Sequence, residues 1–167
     1  MAPTDTAAVD AAALDAAERY VLLNARLIER HRFARLFRDG PAEAVVAALR
    51  LYGNPDGGFG NGLEPDLRGA GSQPEPVAFA LRILHETGGG LDGDAAPGGA
   101  LVRQACDWLA TATTPDGGVP WVLPSVTRSP RGPLLPRAHR GRRRRQARDR
   151  RLRHAGDPRL PRRRARP

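Results

Sequence analysis

Two carboxyl groups separated by one proline are the strongest candidates for chemistry in this sequence. Glu64 and Asp66 lie in a glycine-rich stretch at 58–71. Paired carboxylates beside an apolar cavity can serve as general acid and base when burial raises the pKa of one of them. The alternative is an ordinary polar loop in which Arg68 is the local ion partner. We take Glu64 and Asp66 as the candidate catalytic residues, and both interpretations stay open.

Metal chemistry is not expected. Cys106 is the only cysteine, which excludes an intrachain disulfide and a multi-cysteine zinc site. Zinc needs at least three protein ligands, and the four histidines show no ligand spacing with Cys106. We therefore predict no metal and no cofactor, and we expect Cys106 to be a small buried hydrophobic residue.

Three aromatic residues are candidates for the wall of a ligand cavity. Trp108 lies in the last predicted helix, whereas Phe59 and Trp121 follow the two Pro-Asp-Gly-Gly segments. Aromatic faces can stabilise a cation. The alternative is that they pack in the core and against the turns.

Helices must position these residues. Apolar residues recur at spacings of three and four, which predicts helices over 10–38, 42–52, 74–87 and 100–112. Asp10 is the expected N-cap of the first helix, and Pro74 is the expected opening residue of the third. The second helix is apolar almost all round. The pattern predicts an all-α fold.

A repeat joins two of the helix ends. The sequence reads LRLYGNPDGGF at 49–59 and WLATATTPDGGV at 108–119, so a Pro-Asp-Gly-Gly turn recurs with a period of 60 residues. Proline stops the helix, glycine accepts a positive φ, and aspartate can bond its own backbone. Catalytic groups rarely recur once per structural repeat, so a turn-forming role is favoured over an acid role. The predicted turn residues are Asp56, Gly57, Gly58, Asp116, Gly117 and Gly118.

The segment at 54–84, NPDGGFGNGLEPDLRGAGSQPEPVAFALRIL, resembles a loop and helix of a known superfamily. Protein prenyltransferase β-subunits and squalene-cyclase-type repeats carry a similar Asp-Gly-Gly-Phe-Gly loop before an Ala/Leu-rich helix. The stretch TPDGGVPW at 114–121 is similar to a weaker copy. The resemblance covers 12–121 and implies a partial α/α toroid: helical hairpins around an apolar cavity that holds an isoprenoid-type ligand.

The chemistry of that superfamily does not carry over. Its cyclases use an Asp-x-Asp-Asp acid, and the nearest match here is the Asp-Gly-Asp-Ala at 92–95 in a glycine-rich loop. Its prenyltransferases bind zinc through an Asp-x-Cys pattern, which the Cys106-Asp107 order does not match. We therefore expect a catalytically incompetent fragment of such a repeat protein. The alternative is a helical-repeat scaffold that never had catalysis.

The charge is divided unevenly along the chain. Residues 1–127 contain 10 Arg and 16 acidic residues, whereas 128–167 contain 17 Arg, 2 Asp and no aromatic residue. This predicts a disordered N-terminus at 1–9, a helical-hairpin fragment at 10–126 and a disordered Arg/Pro-rich tail at 127–167. The tail could bind nucleic acid or another polyanion. It could also be the product of a GC-rich gene read out of frame.

Partners and location follow from the same features. A nucleic-acid partner is expected only through 128–167, and an apolar small molecule is the main candidate ligand. The N-terminus has no signal-peptide pattern, and no apolar run is long enough for a membrane span. We expect a cytoplasmic protein.

Overall fold

The computed structural model describes residues 10–90, 93–130 and 132. Within these residues the secondary structure is helical and contains no strand. The helices are α1 (Ala11–Asn24), α2 (Leu27–Phe37), α3 (Ala42–Arg50), α4 (Pro74–Glu86) and α5 (Gly99–Ala112), and short 3₁₀ turns cover Gly93–Ala95 and Pro124–Arg128. The all-α prediction is confirmed for the described part of the chain.

The predicted helix starts lie close to the observed ones. The Asp10 carboxylate accepts a hydrogen bond from the Ala12 amide at 3.2 Å, as an N-cap does. Pro74 opens α4, where the missing amide hydrogen costs no helix bond. The observed α3 is two residues shorter than predicted at its C-terminal end.

The first predicted helix is wrong as a single element, because the chain breaks at Ala25 and Arg26. Ala25 is extended, with φ −91° and ψ 159°. The Arg26 guanidinium donates to the Gly62 carbonyl at 2.7 Å and to the Leu63 carbonyl at 3.1 Å. These contacts with a distant loop compete with helix continuation, and apolar periodicity alone carries no information about them.

Ion pairs show that α1 and α2 form an antiparallel hairpin. Arg38, directly after α2, pairs with Asp15 and Glu18 in the first half of α1, with 2.9 Å between Arg38 Nε and Glu18 Oε2. The C-terminal end of α2 therefore lies beside the N-terminal half of α1.

Two further arginines align α2 with α4. Arg32 pairs with Glu86, and Arg35 Nε donates to the Thr87 carbonyl at 2.9 Å. Since Glu86 and Thr87 mark the end of α4, the C-terminal halves of α2 and α4 lie at the same side.

The main helix contacts join elements that are consecutive in the chain: α1 with α2, α2 with α3, α3 with α4, and α4 with α5. The core comes mostly from α3, α4 and the loop between them. Its buried residues are Ile28, Val45, Val46, Ala48, Leu49, Phe59, Leu63, Val77, Ala80, Ile83, Leu84, Ala105 and Trp108. Packing between consecutive helices is typical of helical-repeat proteins.

Helix α1 contributes nothing to this core. None of its residues is buried, and Tyr20, Leu22 and Leu23 are exposed. Of the larger apolar side chains in α1, only Leu14 and Val21 are partly covered.

Cys106 is exposed, which corrects the expectation of a buried thiol. Ala105 and Trp108 form the buried side of α5. A helix turns about 100° per residue, so the position after Ala105 rotates away from the core.

The packed chain continues past the predicted boundary at 126. Val126 is buried, the Arg68 amide donates to the Pro130 carbonyl at 3.2 Å, and the Gly132 amide donates to the Asp66 carbonyl at 2.9 Å. Residues 1–9, 131 and 133–167, which include most of the predicted disorder, lie outside the described residues.

None of the described helices combines the length and apolarity that crossing a lipid bilayer would require.

Leu49 and Leu51 offer a matched test of this core. Leu49 is 0% exposed and Leu51 is 69% exposed. We expect Leu49→Ala to lower the free energy of unfolding by about 2–5 kcal/mol, because it leaves a cavity. Leu51→Ala should change it by less than about 0.5 kcal/mol. Urea unfolding followed by circular dichroism measures both, and equal losses would contradict the described packing.

Candidate functional site

The Pro-Asp-Gly-Gly segment after α3 forms a closed turn. The Asn54 amide donates to the Gly58 carbonyl at 2.9 Å, and the Gly57 amide donates back to the Asn54 carbonyl at 3.0 Å. Gly57 has φ +86°, a left-handed conformation that side chains disfavour.

The segment after α5 repeats this turn. The Thr114 amide donates to the Gly118 carbonyl at 2.8 Å, and the Gly117 amide donates to the Thr114 carbonyl at 2.8 Å. Gly117 has φ +84°. The two segments therefore share one backbone conformation as well as one sequence motif. We call residues 54–59 the first turn and residues 114–119 the second turn.

In the first turn the Asp56 carboxylate joins three parts of the fold. Its Oδ1 accepts from the Gly58 amide at 3.0 Å and from the Ser72 hydroxyl at 2.7 Å. Its Oδ2 accepts from Trp108 Nε1 on α5 at 3.1 Å. Desolvation alone would raise the pKa of Asp56, but the hydrogen bonds from Ser72, Gly58 and Trp108 outweigh it and lower that pKa.

In the second turn the hydrogen-bond donors that the structure describes around Asp116 belong to the turn itself. The Thr114 hydroxyl donates to Asp116 Oδ1. This bond, with those from the backbone amides of Asp116 and Gly118, lowers the pKa of the exposed Asp116 carboxyl. Both repeated aspartates thus favour the ionised form and lie where they stabilise turns.

Neither residue of the candidate acid pair lines a pocket that the structure describes. Asp66 is exposed and Glu64 is half-buried. Arg68 Nε donates to the Pro65 carbonyl at 3.1 Å, so the described bond of the expected ion partner goes to the backbone. Neither carboxylate lines the apolar pocket described next.

The structure separates the three candidate aromatic residues. Phe59 and Trp108 are buried in the core, whereas Trp121 is 57% exposed. Only Trp121 lines an apolar pocket of about 420 Å³, between the N-terminal end of α4 and the C-terminal end of α5. The pocket walls are Pro74, Glu75, Ala78, Leu109, Val119, Pro120 and Trp121.

Glu75 is the polar group of this pocket, and sequence reasoning missed it. Trp121 Nε1 donates to Glu75 Oε2 at 2.7 Å, which fixes the indole against the carboxylate. In the sequence Glu75 is only an acidic residue in the first turn of a helix, which is a common capping preference. No local signal pairs it with a tryptophan 46 residues later.

Gln73 was also missed, and it holds the chain that forms the pocket wall. Its buried amide donates through Nε2 to the Ser125 hydroxyl at 2.8 Å and accepts through Oε1 from the Leu123 amide at 2.8 Å. A buried glutamine whose amide nitrogen and oxygen are both hydrogen-bonded stabilises the segments that it joins, because leaving either atom unpaired would cost free energy.

Within the described residues, no three side chains of His, Cys, Asp or Glu are grouped as metal ligands would be.

No family model, no curated protein and no solved structure matches this chain.

The two turns provide a matched pair of glycine substitutions. A Cβ at Gly58 would lie 2.5 Å from Ser72 and 2.9 Å from Trp108, whereas a Cβ at Gly118 meets nothing closer than 3.4 Å. We expect Gly58→Ala to lower the free energy of unfolding by about 1–3 kcal/mol through overpacking. Gly118→Ala should cost less than about 0.5 kcal/mol. Thermal or urea unfolding measures the difference, and the reverse order would contradict the described cover on the first turn.

The lowered pKa of Asp56 predicts a pH dependence of stability. A carboxyl whose folded pKa is depressed contributes stability above its unfolded pKa of about 3.9, and that contribution is lost as pH falls through the folded pKa. Asp56→Asn should therefore be less stable than the wild type near pH 6, and the gap should narrow below about pH 4. Unfolding curves at a series of pH values test this, and parallel curves for the two proteins would count against it.

Proposed function

We propose that this chain is part of a helical-hairpin repeat protein of the α/α-toroid type and that it binds an apolar, isoprenoid-type ligand without catalysing its conversion. The observation that carries the repeat assignment is the recurrence of one turn conformation at the C-terminal ends of α3 and α5. The motif and its turn geometry recur 60 residues apart, each just after a helix, as the spacing of a hairpin repeat requires.

The order of the helices supports the same assignment. In an array of hairpins, every second helix runs in the same direction and each unit packs on the next. The arginine contacts place the C-terminal end of α4 beside the C-terminal half of α2, and the main helix contacts join consecutive elements. The exposed apolar side chains of α1 fit a unit that a neighbouring element covers in a complete array.

The pocket beside Trp121 supports the ligand class. Its volume of about 420 Å³ suits a small molecule, and its walls are mostly apolar. Glu75 is the one charged residue among them. A carboxylate accepts a hydrogen bond from a hydroxyl group and repels a phosphate, so an isoprenoid alcohol fits this pocket better than an isoprenoid diphosphate.

The absence of catalysis is proposed from the position of the acids. Glu64 and Asp66 lie in the loop between α3 and α4, outside the lining of this pocket. A general acid must lie within hydrogen-bond reach of the group that it protonates. Glu75 already accepts a hydrogen bond from the Trp121 indole. Its role is therefore to bind the polar group of the ligand and not to transfer a proton.

Geraniol, a short isoprenoid alcohol, is the probe for this proposal. We expect it to change the tryptophan fluorescence with a Kd on the order of 0.1–1 mM, as its few atoms allow. Trp121→Ala should weaken binding about tenfold, because the ring supplies much of the apolar wall. Leu23→Ala, at an exposed site on α1, should leave the Kd unchanged.

Isothermal calorimetry checks the same affinities independently of the tryptophan signal. Geranyl diphosphate should bind more weakly than geraniol because of Glu75. If geraniol shows no binding up to about 1 mM, the ligand proposal falls and a non-catalytic scaffold becomes the better account.

A further inference from the structure

The two turns have the same backbone conformation, but α5 covers the first turn and the second turn is exposed. Helix α5 lies over the first turn: Trp108 donates to Asp56 Oδ2 at 3.1 Å, and its ring is in contact with the position of Gly58. The residue that follows the two glycines, Phe59, is 1% exposed and belongs to the core.

The second turn is open at each corresponding position. Among the described residues nothing lies within 4 Å of a Cβ at Gly117, and Val119 is 47% exposed where Phe59 is buried. The described bonds to Asp116 come from within its own turn. The first turn is covered by a helix and the second turn, with the same backbone geometry, is exposed. The second turn is therefore a candidate binding surface for an equivalent helix.

We propose that the second turn is a docking site for a helix of a further hairpin of the same repeat type, and that an indole N–H on that helix donates to the Asp116 carboxylate. This inference rests on the repeat assignment made above. The chain itself supplies the template, because α5 binds the first turn in this way.

The chemistry of the site narrows the partner. The equivalent of Gly58 is Gly118, which has no side chain, so a flat ring can lie directly on its backbone as Trp108 does at Gly58. The ring must also carry one hydrogen-bond donor at its edge, and tryptophan combines a large apolar face with a single N–H. Residues 128–167 contain no tryptophan, so the tail of this chain does not provide the group.

The probe is a synthetic helix with the sequence of residues 97–113, which contains Trp108. A hydrocarbon staple between positions 106 and 110, both exposed in α5, keeps it helical without touching the surface that faces the turn. The receptor is the full-length chain labelled with ¹⁵N. A matched peptide with Trp108→Phe removes the N–H and keeps most of the apolar ring.

We expect the peptide to shift the amide resonances of residues 114–119. Asp116→Ala in the receptor should weaken binding about tenfold, and Trp108→Phe in the peptide should weaken it to a similar extent. Combining the two changes should add little to either one, because they remove the same hydrogen bond. Gly118→Val should abolish binding by filling the place of the ring, and circular dichroism checks that each receptor variant stays folded.

Several outcomes would overturn the inference. They are no binding up to about 1 mM, equal binding by the Trp108 and Phe peptides, and shifts confined to residues 54–59, which would mean that the peptide displaces the chain's own α5. Self-association of the full-length chain that Asp116→Ala removes would assign the surface to a second copy instead. The geraniol pocket shares only Val119 with the second turn. Failure of peptide docking with retained geraniol binding would therefore remove this inference alone.

Discussion

One carboxylate, that of Asp56, forms hydrogen bonds with three separate parts of the fold. It bonds the amide of its own turn, a hydroxyl in the glycine-rich loop and the indole of α5. The loop has no regular secondary structure of its own, so its position depends on such fixed points. A charged acceptor is suited to this role, because hydrogen bonds to an ionised group are stronger than those between neutral groups.

Arginine side chains form a second set of contacts between distant segments, which join α2 to the α3–α4 loop and to the end of α4. The Arg26 guanidinium bonds two loop carbonyls and also pairs with Glu29, while Arg35 bonds the carbonyl at the end of α4. A guanidinium offers five donors in a planar fork and can serve several acceptors at once, whereas an ammonium group is a compact point charge. The chain contains no lysine, and the contacts of Arg26 use several guanidinium donors at once.

The sequence predicted the helices wherever a local signal marked their ends. Pro74 and the glycines after α3 and α5 placed the ends of those helices to within about two residues, because proline and glycine act on the backbone that carries them. The break at Ala25 was missed because no proline or glycine marks it, and the Arg26 side chain there contacts the distant carbonyls of Gly62 and Leu63. The exposure of Cys106 was missed for a related reason: it depends on which face of α5 meets the core.

The candidate site was predictable in part. The repeated motif located both turns and favoured a structural role for Asp56 and Asp116, since turn chemistry is local. The pocket was not predictable, because it is assembled from the start of α4 and the chain after α5. Its hydrogen bonds join residues that are 46 to 52 positions apart: Glu75 with Trp121, and Gln73 with Leu123 and Ser125.

The predominance of contacts between consecutive helices has a consequence for how the molecule acquires its structure. Contacts between neighbouring helices close smaller loops than contacts between distant segments, so consecutive helices can associate stepwise, as in proteins of low contact order. The bonds from Gln73 to Leu123 and Ser125 span 50 and 52 residues and close only after α4 and α5 have met. The segment that completes the pocket is therefore expected to be the last to assemble during folding, and the first to detach when the protein is strained.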